Sequence, residues 1–395
     1  MPPQTKISTD PATGQNHVRP NVALIITSPF AVNGFWASHL DALRKFYNVS
    51  VLVNAVDQQL KDVVTKVPPG VTVIPLNLRR EINPLDDLRA LLAIRRFLID
   101  NNVLVVITMT PKAGLTGMLA ARWANVPVRM HWFTGQVWVN RTGWMRHLLK
   151  STDRVTVRAS TACLVDSHTQ VDFLVQENIA PRSRFEVLGS GSVSGVDCNK
   201  FAPDAETRRE VRAELGIGDE EIVMVFAGRV NREKGVPELL EAFARLKTAG
   251  HRVRLLIVGP EENQVVPRPL PDGVVMVGYT QSLHRYLKAS DIFCLPSHRE
   301  GFGLVLIEAG ACGLPAIASR IYGITDAMVD GVTGLLHTAG DPAGIVANAE
   351  RLIENPALRR QFGNAARARA LNEFSSKRLT DLLLDRIASL LKSVA

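Results

Sequence analysis

Cysteine is scarce in this chain, with four in 395 residues. Cys163, Cys198, Cys294 and Cys312 are far apart and form no CxxC pair. That argues against a structural zinc site and fits reduced thiols in a cytosol. Cys294 and Cys312 stand in apolar stretches and are expected in the core. No uninterrupted apolar run reaches the ~18 residues of a membrane span. Residues 1–20 lack the apolar stretch of a secretory signal and carry Pro2, Pro3, Pro11 and Gly14. They are expected to form a mobile tail on a cytoplasmic protein. Asp-x-Asp occurs nowhere, and no basic run is interleaved with aromatics. The second absence argues against a nucleic-acid partner.

Apolar residues are plentiful, at 46%. That is enough for two buried cores, and the length fits two domains. The net charge of +8 is carried entirely by residues 1–200, while residues 201–395 balance. Such asymmetry points to something anionic, either a phospholipid surface or a phosphorylated substrate.

Apolar strands alternate with amphipathic helices in both halves. Expected strands cover residues 22–27, 49–53, 71–74, 103–108, 127–130, 162–165 and 185–188. In the second half they cover 222–227, 253–258, 274–277, 292–295 and 316–318. Repeated β-α alternation means parallel sheets covered by helices, and two series mean two Rossmann-like domains. The run from Gly189 to Gly195 spaces its glycines as GxGxxxG with no helical pattern after it, so it reads as an interdomain loop rather than a dinucleotide fingerprint. The expected organisation is a tail at 1–20, domains at 21–195 and 196–375, and an amphipathic C-terminal helix at 376–395.

Two constellations carry chemistry. Gly228-Arg-Val-Asn-Arg-Glu-Lys-Gly235 follows a strand and sets Arg229 and Lys234 where open α/β sheets bind ligands. They read either as a phosphate clamp or as two solvated cations. Ser297-His-Arg-Glu-Gly-Phe-Gly-Leu-Val-Leu-Ile-Glu308 also follows a strand. Gly301 and Gly303 open the backbone before a helix starting near Leu304, and such a helix N-terminus favours anions. Glu308 lies among apolar neighbours and needs a partner, either a ligand hydroxyl or a nearby arginine.

Glu300 and Glu308 form an E-x7-E motif, and Gly228–Gly235 is similar to a GR-x4-KG element. With Gly195-Val-Asp197, Val258-Gly-Pro260, Val277-Gly-Tyr279, Pro296-Ser297 and Asp330-Gly-x-x-Gly-Leu335, the chain resembles the retaining glycosyltransferases of family 4, of the cell-envelope polysaccharide type. The resemblance spans residues 22 to about 380 and is specific for the family, not for the sugar. It implies an α/β GT-B fold, with two facing Rossmann-like domains and a donor cleft between them. It also implies a nucleotide-diphosphate sugar donor, a UDP-sugar by frequency, with a glycan or lipid-diphosphate-linked acceptor. Arg229 and Lys234 would clamp the diphosphate, Glu300 the sugar hydroxyls and Glu308 the ribose. The backbone N–H groups of Phe302, Gly303 and Leu304 would hold sugar and phosphates. No metal or other cofactor is expected, in keeping with the missing Asp-x-Asp.

The first half departs from the family pattern. Gly34 stands alone where relatives often have a glycine pair approaching the donor phosphate. Relatives often place His-Gly after the fifth strand, whereas here Thr134 precedes Gly135 and His131 lies three residues earlier. His131 or Thr134 is the expected sugar contact. Trp138, Trp144, Arg141, Arg146, His147 and Lys150 read as one helical face, expected to lie on an anionic membrane at the inner face of the plasma membrane. Competing functions are a GT-B-like nucleotide-sugar epimerase, a glycan phosphorylase, for which the chain is too short, and a non-catalytic nucleotide-sugar binder.

Overall fold

The computed structural model describes residues 8–9, 16–17, 19–78 and 83–394. Most of the expected tail at 1–20 lies outside the described residues. Within it, Ser8–Thr9 and Asn16–His17 pair as two short antiparallel strands.

The chain divides into two compact units. One comprises Met1–Asp166, Val171–Gly189 and Leu379–Ala395, so it includes nearly all of the C-terminal helix Ser376–Lys392. The other comprises Ser167–Gln170 and Ser190–Arg378.

In the first unit the strands are β1 (Asn21–Ile26), β2 (Asn48–Val53), β3 (Thr72–Pro75), β4 (Val103–Met109), β5 (Val128–Phe133), β6 (Ala162–Val165) and β7 (Phe185–Glu186). They form one parallel sheet in the order β3-β2-β1-β4-β5-β6-β7. The central strands read as near-continuous apolar runs because helices cover both faces. β1 is Asn-Val-Ala-Leu-Ile-Ile, and every residue after the first is buried. β5 runs three residues past its expected end, because Trp132 and Phe133 continue the buried pattern through His131.

The second unit repeats the plan with β8 (Ile222–Ala227), β9 (Val253–Val258), β10 (Val274–Gly278), β11 (Ile292–Leu295), β12 (Ala316–Ser319) and β13 (Gly334–His337). Their order is β10-β9-β8-β11-β12-β13. β13 was not among the expected strands. It is a four-residue edge strand directly behind the Asp330–Gly334 turn, and Gly-Leu-Leu-His holds only two large apolar residues to announce it. Both sheets reverse strand order beside their first strand, the switch point at which doubly wound sheets open a ligand crevice. Cys294 and Cys312 are buried as expected, and so is Cys163. Among the described residues no helix is long and apolar enough to cross a membrane.

The C-terminal helix is anchored in the first unit by a buried polar contact. His39 Nδ1 lies 2.8 Å from Thr380 Oγ1. The His39 ring stacks on Trp132, whose Nε1–H donates to Asp166 at 2.8 Å. Burial pushes the Asp166 carboxyl up to about 7, against the pull of that indole. Thr380→Val removes the helix anchor at constant shape. It is expected to cost about 1–2 kcal/mol, read as a lower denaturant midpoint; an unchanged midpoint would show that the bond contributes nothing.

Candidate active site

The second unit gathers its polar side chains where β8 and β11 end. After β8, a short 3₁₀ turn (Arg232–Lys234) is capped by Asn231, whose Oδ1 accepts the Lys234 N–H at 3.0 Å. Gly235 closes the turn at φ +69°, and a Cβ there would sit 2.0 Å from the Pro296 carbonyl oxygen. Only glycine fits both constraints, and the close approach joins this loop to the one following β11.

The junction brings Lys234 Nζ to 2.6 Å from Glu300 Oε1, with both side chains only 14% exposed. Ser297 Oγ donates to the same oxygen at 2.9 Å. Two further pairs close the loops together, Arg299–Glu233 at 2.6 Å and His298–Glu238 at 2.9 Å. Arg229 is half-exposed and reaches Glu262 at 3.3 Å, while Asn231 Nδ2 holds that carboxylate at 2.7 Å. Of the two candidate phosphate-binding cations, Lys234 is therefore fixed in place and Arg229 is on a looser tether.

Glu300 leads into the helix Leu304–Ala311 through Gly303 at φ +80°, and no side chain caps that helix. Its first N–H groups are therefore available to a ligand, and the helix dipole favours an anion there. Phe302 is buried against Phe374, with ring centroids 5.3 Å apart, so only its backbone can serve the site. Glu308 sits one turn in. It keeps a sliver of accessible surface, yet protein surrounds its carboxyl, which burial pushes up to about 7 with Lys200 pulling the other way. No arginine partners it: among the described residues its carboxylate makes no hydrogen bond or ion pair. An acid so placed is a ready acceptor for a ligand hydroxyl.

Three residues of this geometry were given no role from the sequence: Asn231 and Ser297, which stand inside the quoted motifs, and Glu262. The Asn231-x-x-Lys234 spacing is that of an N-cap and could have been found. The bonds of Ser297 to Glu300 and of Glu262 to Arg229 become visible only once the loops are folded together.

The first unit corrects several expectations. His131 is 2% exposed, with Nδ1 2.7 Å from Thr108 Oγ1 and its ring edge-on to Phe133. A Cβ on Gly114 would lie 2.4 Å from the ring, so the helix Pro111–Trp123 is packed directly against it. Burial lowers its pKa to about 3, with the Thr108 bond opposing. The result is a neutral core histidine with no face for a sugar. Thr134 lies just beyond β5 and is half-buried. Gly34 stands inside the helix Pro29–Phe35, not in an open loop, and only the Phe30 ring comes within 4 Å of a Cβ there. The basic helix is Gly143–Ala159, and its expected membrane face is broken up. Trp138 precedes the helix, is fully buried, and donates Nε1–H to Asp153 at 2.7 Å. Lys150 is buried too, and it shares Glu177 with Arg146 at 2.8 and 2.7 Å. Trp144, 72% exposed, stays on the surface with Arg141 and His147.

Two parallel-sheet Rossmann-like units, with cations and an uncapped helix N-terminus at the strand ends of the second, are the architecture of the GT-B class. The comparisons agree. Residues 207–369 match the model for glycosyl transferases group 1, and residues 36–191 match the glycosyl transferase 4-like domain. The capsular polysaccharide biosynthesis glycosyltransferase CapM of Staphylococcus aureus is 29% identical over 77% of this chain and 81% of its own. The D-inositol 3-phosphate glycosyltransferase of Saccharomonospora viridis is 36% identical, but over only 48% of each chain. Among solved structures, Anabaena Alr3699/HepE in complex with UDP and glucose superposes with a TM-score of 0.79 at 18% identity, covering 94% of this chain and all of that one. The chain belongs to the family 4 glycosyltransferases and has the GT-B fold.

Lys234→Ala and Arg229→Ala are each expected to slow sugar transfer by about 10²–10³ at saturating donor, with unchanged circular dichroism. Turnover near wild type in both would contradict a role for these cations in the reaction.

Proposed function

We propose that this glycosyltransferase moves a sugar from a UDP-sugar to a glycan or lipid-diphosphate-linked acceptor in polysaccharide assembly, with retention of anomeric configuration and without a metal ion. The observation that carries the reading is the Lys234–Glu300 pair beside the uncapped helix at Gly303, with Glu308 unpartnered one turn further on. CapM supports the polysaccharide assignment, and Anabaena Alr3699/HepE, solved in complex with UDP-glucose, supports the donor class. Departure of the diphosphate builds negative charge on its oxygens. Lys234, Arg229 and the N–H groups at Gly303 and Leu304 stabilise that charge, work that a metal ion does in other transferases. Glu300 receives the sugar hydroxyls and Glu308 the ribose. Retention follows from family membership and not from a nucleophile seen in the site. The positive first unit is proposed to draw the enzyme to an anionic membrane that carries the acceptor.

The test is direct. Incubation with UDP-sugars and acceptor in EDTA should release UDP and give a product whose anomeric NMR coupling matches the donor. Inversion, or activity lost in chelator and restored by Mg²⁺ or Mn²⁺, would contradict the reading.

Glu308 adds a pH signature. Because burial raises its pKa to about 7, its ionised, hydroxyl-accepting form grows in as pH rises through neutrality. Donor affinity should therefore increase from about pH 6 to about pH 8, while Glu308→Gln should flatten the profile. The sign for stability is opposite: the contribution of the neutral carboxyl is complete below the ordinary glutamate range and is lost as pH rises through about 7. A wild-type profile identical to that of Glu308→Gln would remove the carboxylate from donor binding.

A further inference from the structure

The first unit has an arginine-walled depression that sugar transfer does not use. Its volume is about 530 Å³, and Arg122, Arg154, Arg158 and Arg184 line it with Val157 and Pro181. Its position follows from the fold. Arg122 lies in the last turn of the helix Pro111–Trp123, Arg154 and Arg158 near the end of the helix Gly143–Ala159, and Arg184 just before β7. These helices end at the N-terminal edge of the sheet, the edge opposite Thr134 and opposite the one where doubly wound sheets hold their substrates.

Three of the four guanidiniums are anchored to backbone carbonyls, and none is neutralised. Arg122 donates to the Arg158 carbonyl at 3.1 Å, Arg154 to that of Asn178 at 2.8 Å, and Arg184 to those of Val157 and Ser160 at 2.8 and 2.9 Å. Among the described residues the Arg158 side chain makes no hydrogen bond, none of the four forms an ion pair, and no carboxylate lines the depression; residues 101–152 contain neither Asp nor Glu. The helix C-termini help to hold the cations, but two ends contribute only about −0.5 charge each against four full charges. Arg129, adjoining Arg122, registers the surplus: burial first, and then the Arg122 charge, hold it below the usual arginine range.

We propose that this depression is a binding site for phosphoryl groups, separate from the donor site. A carboxylate engages one guanidinium fork and carries one charge. A phosphomonoester or diphosphate carries two or more charges on tetrahedrally disposed oxygens and can meet several forks together. The volume admits more than a single phosphate, so the ligand is a phosphorylated molecule, either free in solution or a lipid headgroup. The assignment does not depend on the sugar-transfer reading.

Pyrophosphate would also suit the Lys234 loop, so calorimetric titration with inorganic pyrophosphate is made on full-length Lys234→Ala protein. Saturable binding is expected, weakening with salt, and Arg158→Glu in that background should weaken it by about tenfold or more. Arg158→Glu breaks no internal hydrogen bond, and an unchanged melting temperature certifies its fold. In parallel, wild type and Arg158→Glu are sedimented with phosphatidylcholine vesicles, with and without phosphatidic acid, whose headgroup is a phosphomonoester. Pyrophosphate binding lost in Arg158→Glu supports a soluble phosphorylated ligand. Phosphatidic-acid-dependent sedimentation lost in Arg158→Glu supports a headgroup. Absence of both in the unmutated depression, or binding indifferent to Arg158→Glu, overturns the proposal.

Discussion

A glycine pressed against a carbonyl holds the second unit's chemistry together. Gly235 packs where a Cβ would stand 2.0 Å from the Pro296 oxygen, so the loops after β8 and β11 lie in direct backbone contact. Lys234, the residue before that glycine, consequently meets Glu300 across the junction at 2.6 Å. The pair is largely shielded from water, where deleting one member of an ion pair costs more than the pair contributes. Ser297 shares the load by donating to the same carboxylate oxygen. Cation and acid satisfy each other; in the proposed reaction a diphosphate would offer Lys234 a second anion without requiring either side chain to be built anew. Such preorganisation lets a fixed charge act on a transition state without reorganising during the reaction.

The two units use the same architecture to different ends. In the second, the strand ends carry glycines, paired charges and an uncapped helix, so backbone and side chains together form an anion shelf. In the first, the corresponding residues turn inward. His131, Trp132 and Trp138 are all buried, and their polar atoms are bonded to Thr108, Asp166 and Asp153. Four of the first unit's arginines, Arg122, Arg154, Arg158 and Arg184, gather instead at the opposite edge of its sheet.

The fold was legible because parallel strands are apolar on both faces. Residues 222–227, 253–258 and 292–295 were read to the residue. β13 was not legible, since Gly334-Leu-Leu-His337 has only two large apolar residues, whereas the equally short β11 is apolar throughout. The second unit's site was legible because its motifs sit in short loops locked by glycines, where sequence distance nearly fixes spatial distance. The first unit's site was less so. Whether a histidine near a strand end faces solvent or core depends on where the strand stops, and β5 stops three residues later than its apolar pattern suggested. The helical face of Trp138 and Lys150 failed for a related reason: Glu177, distant in sequence, folds back to neutralise it.

The central claim is that the second unit grips a diphosphate through Lys234. The most direct measurement is calorimetric titration of the full-length protein with uridine and with UDP, each against wild type and Lys234→Met. If the account is right, UDP binds wild type far more tightly than uridine does, and most of that difference disappears in Lys234→Met while uridine affinity is unchanged. Equal affinity for uridine and UDP in wild type, or a UDP preference that survives loss of the ammonium, would contradict it.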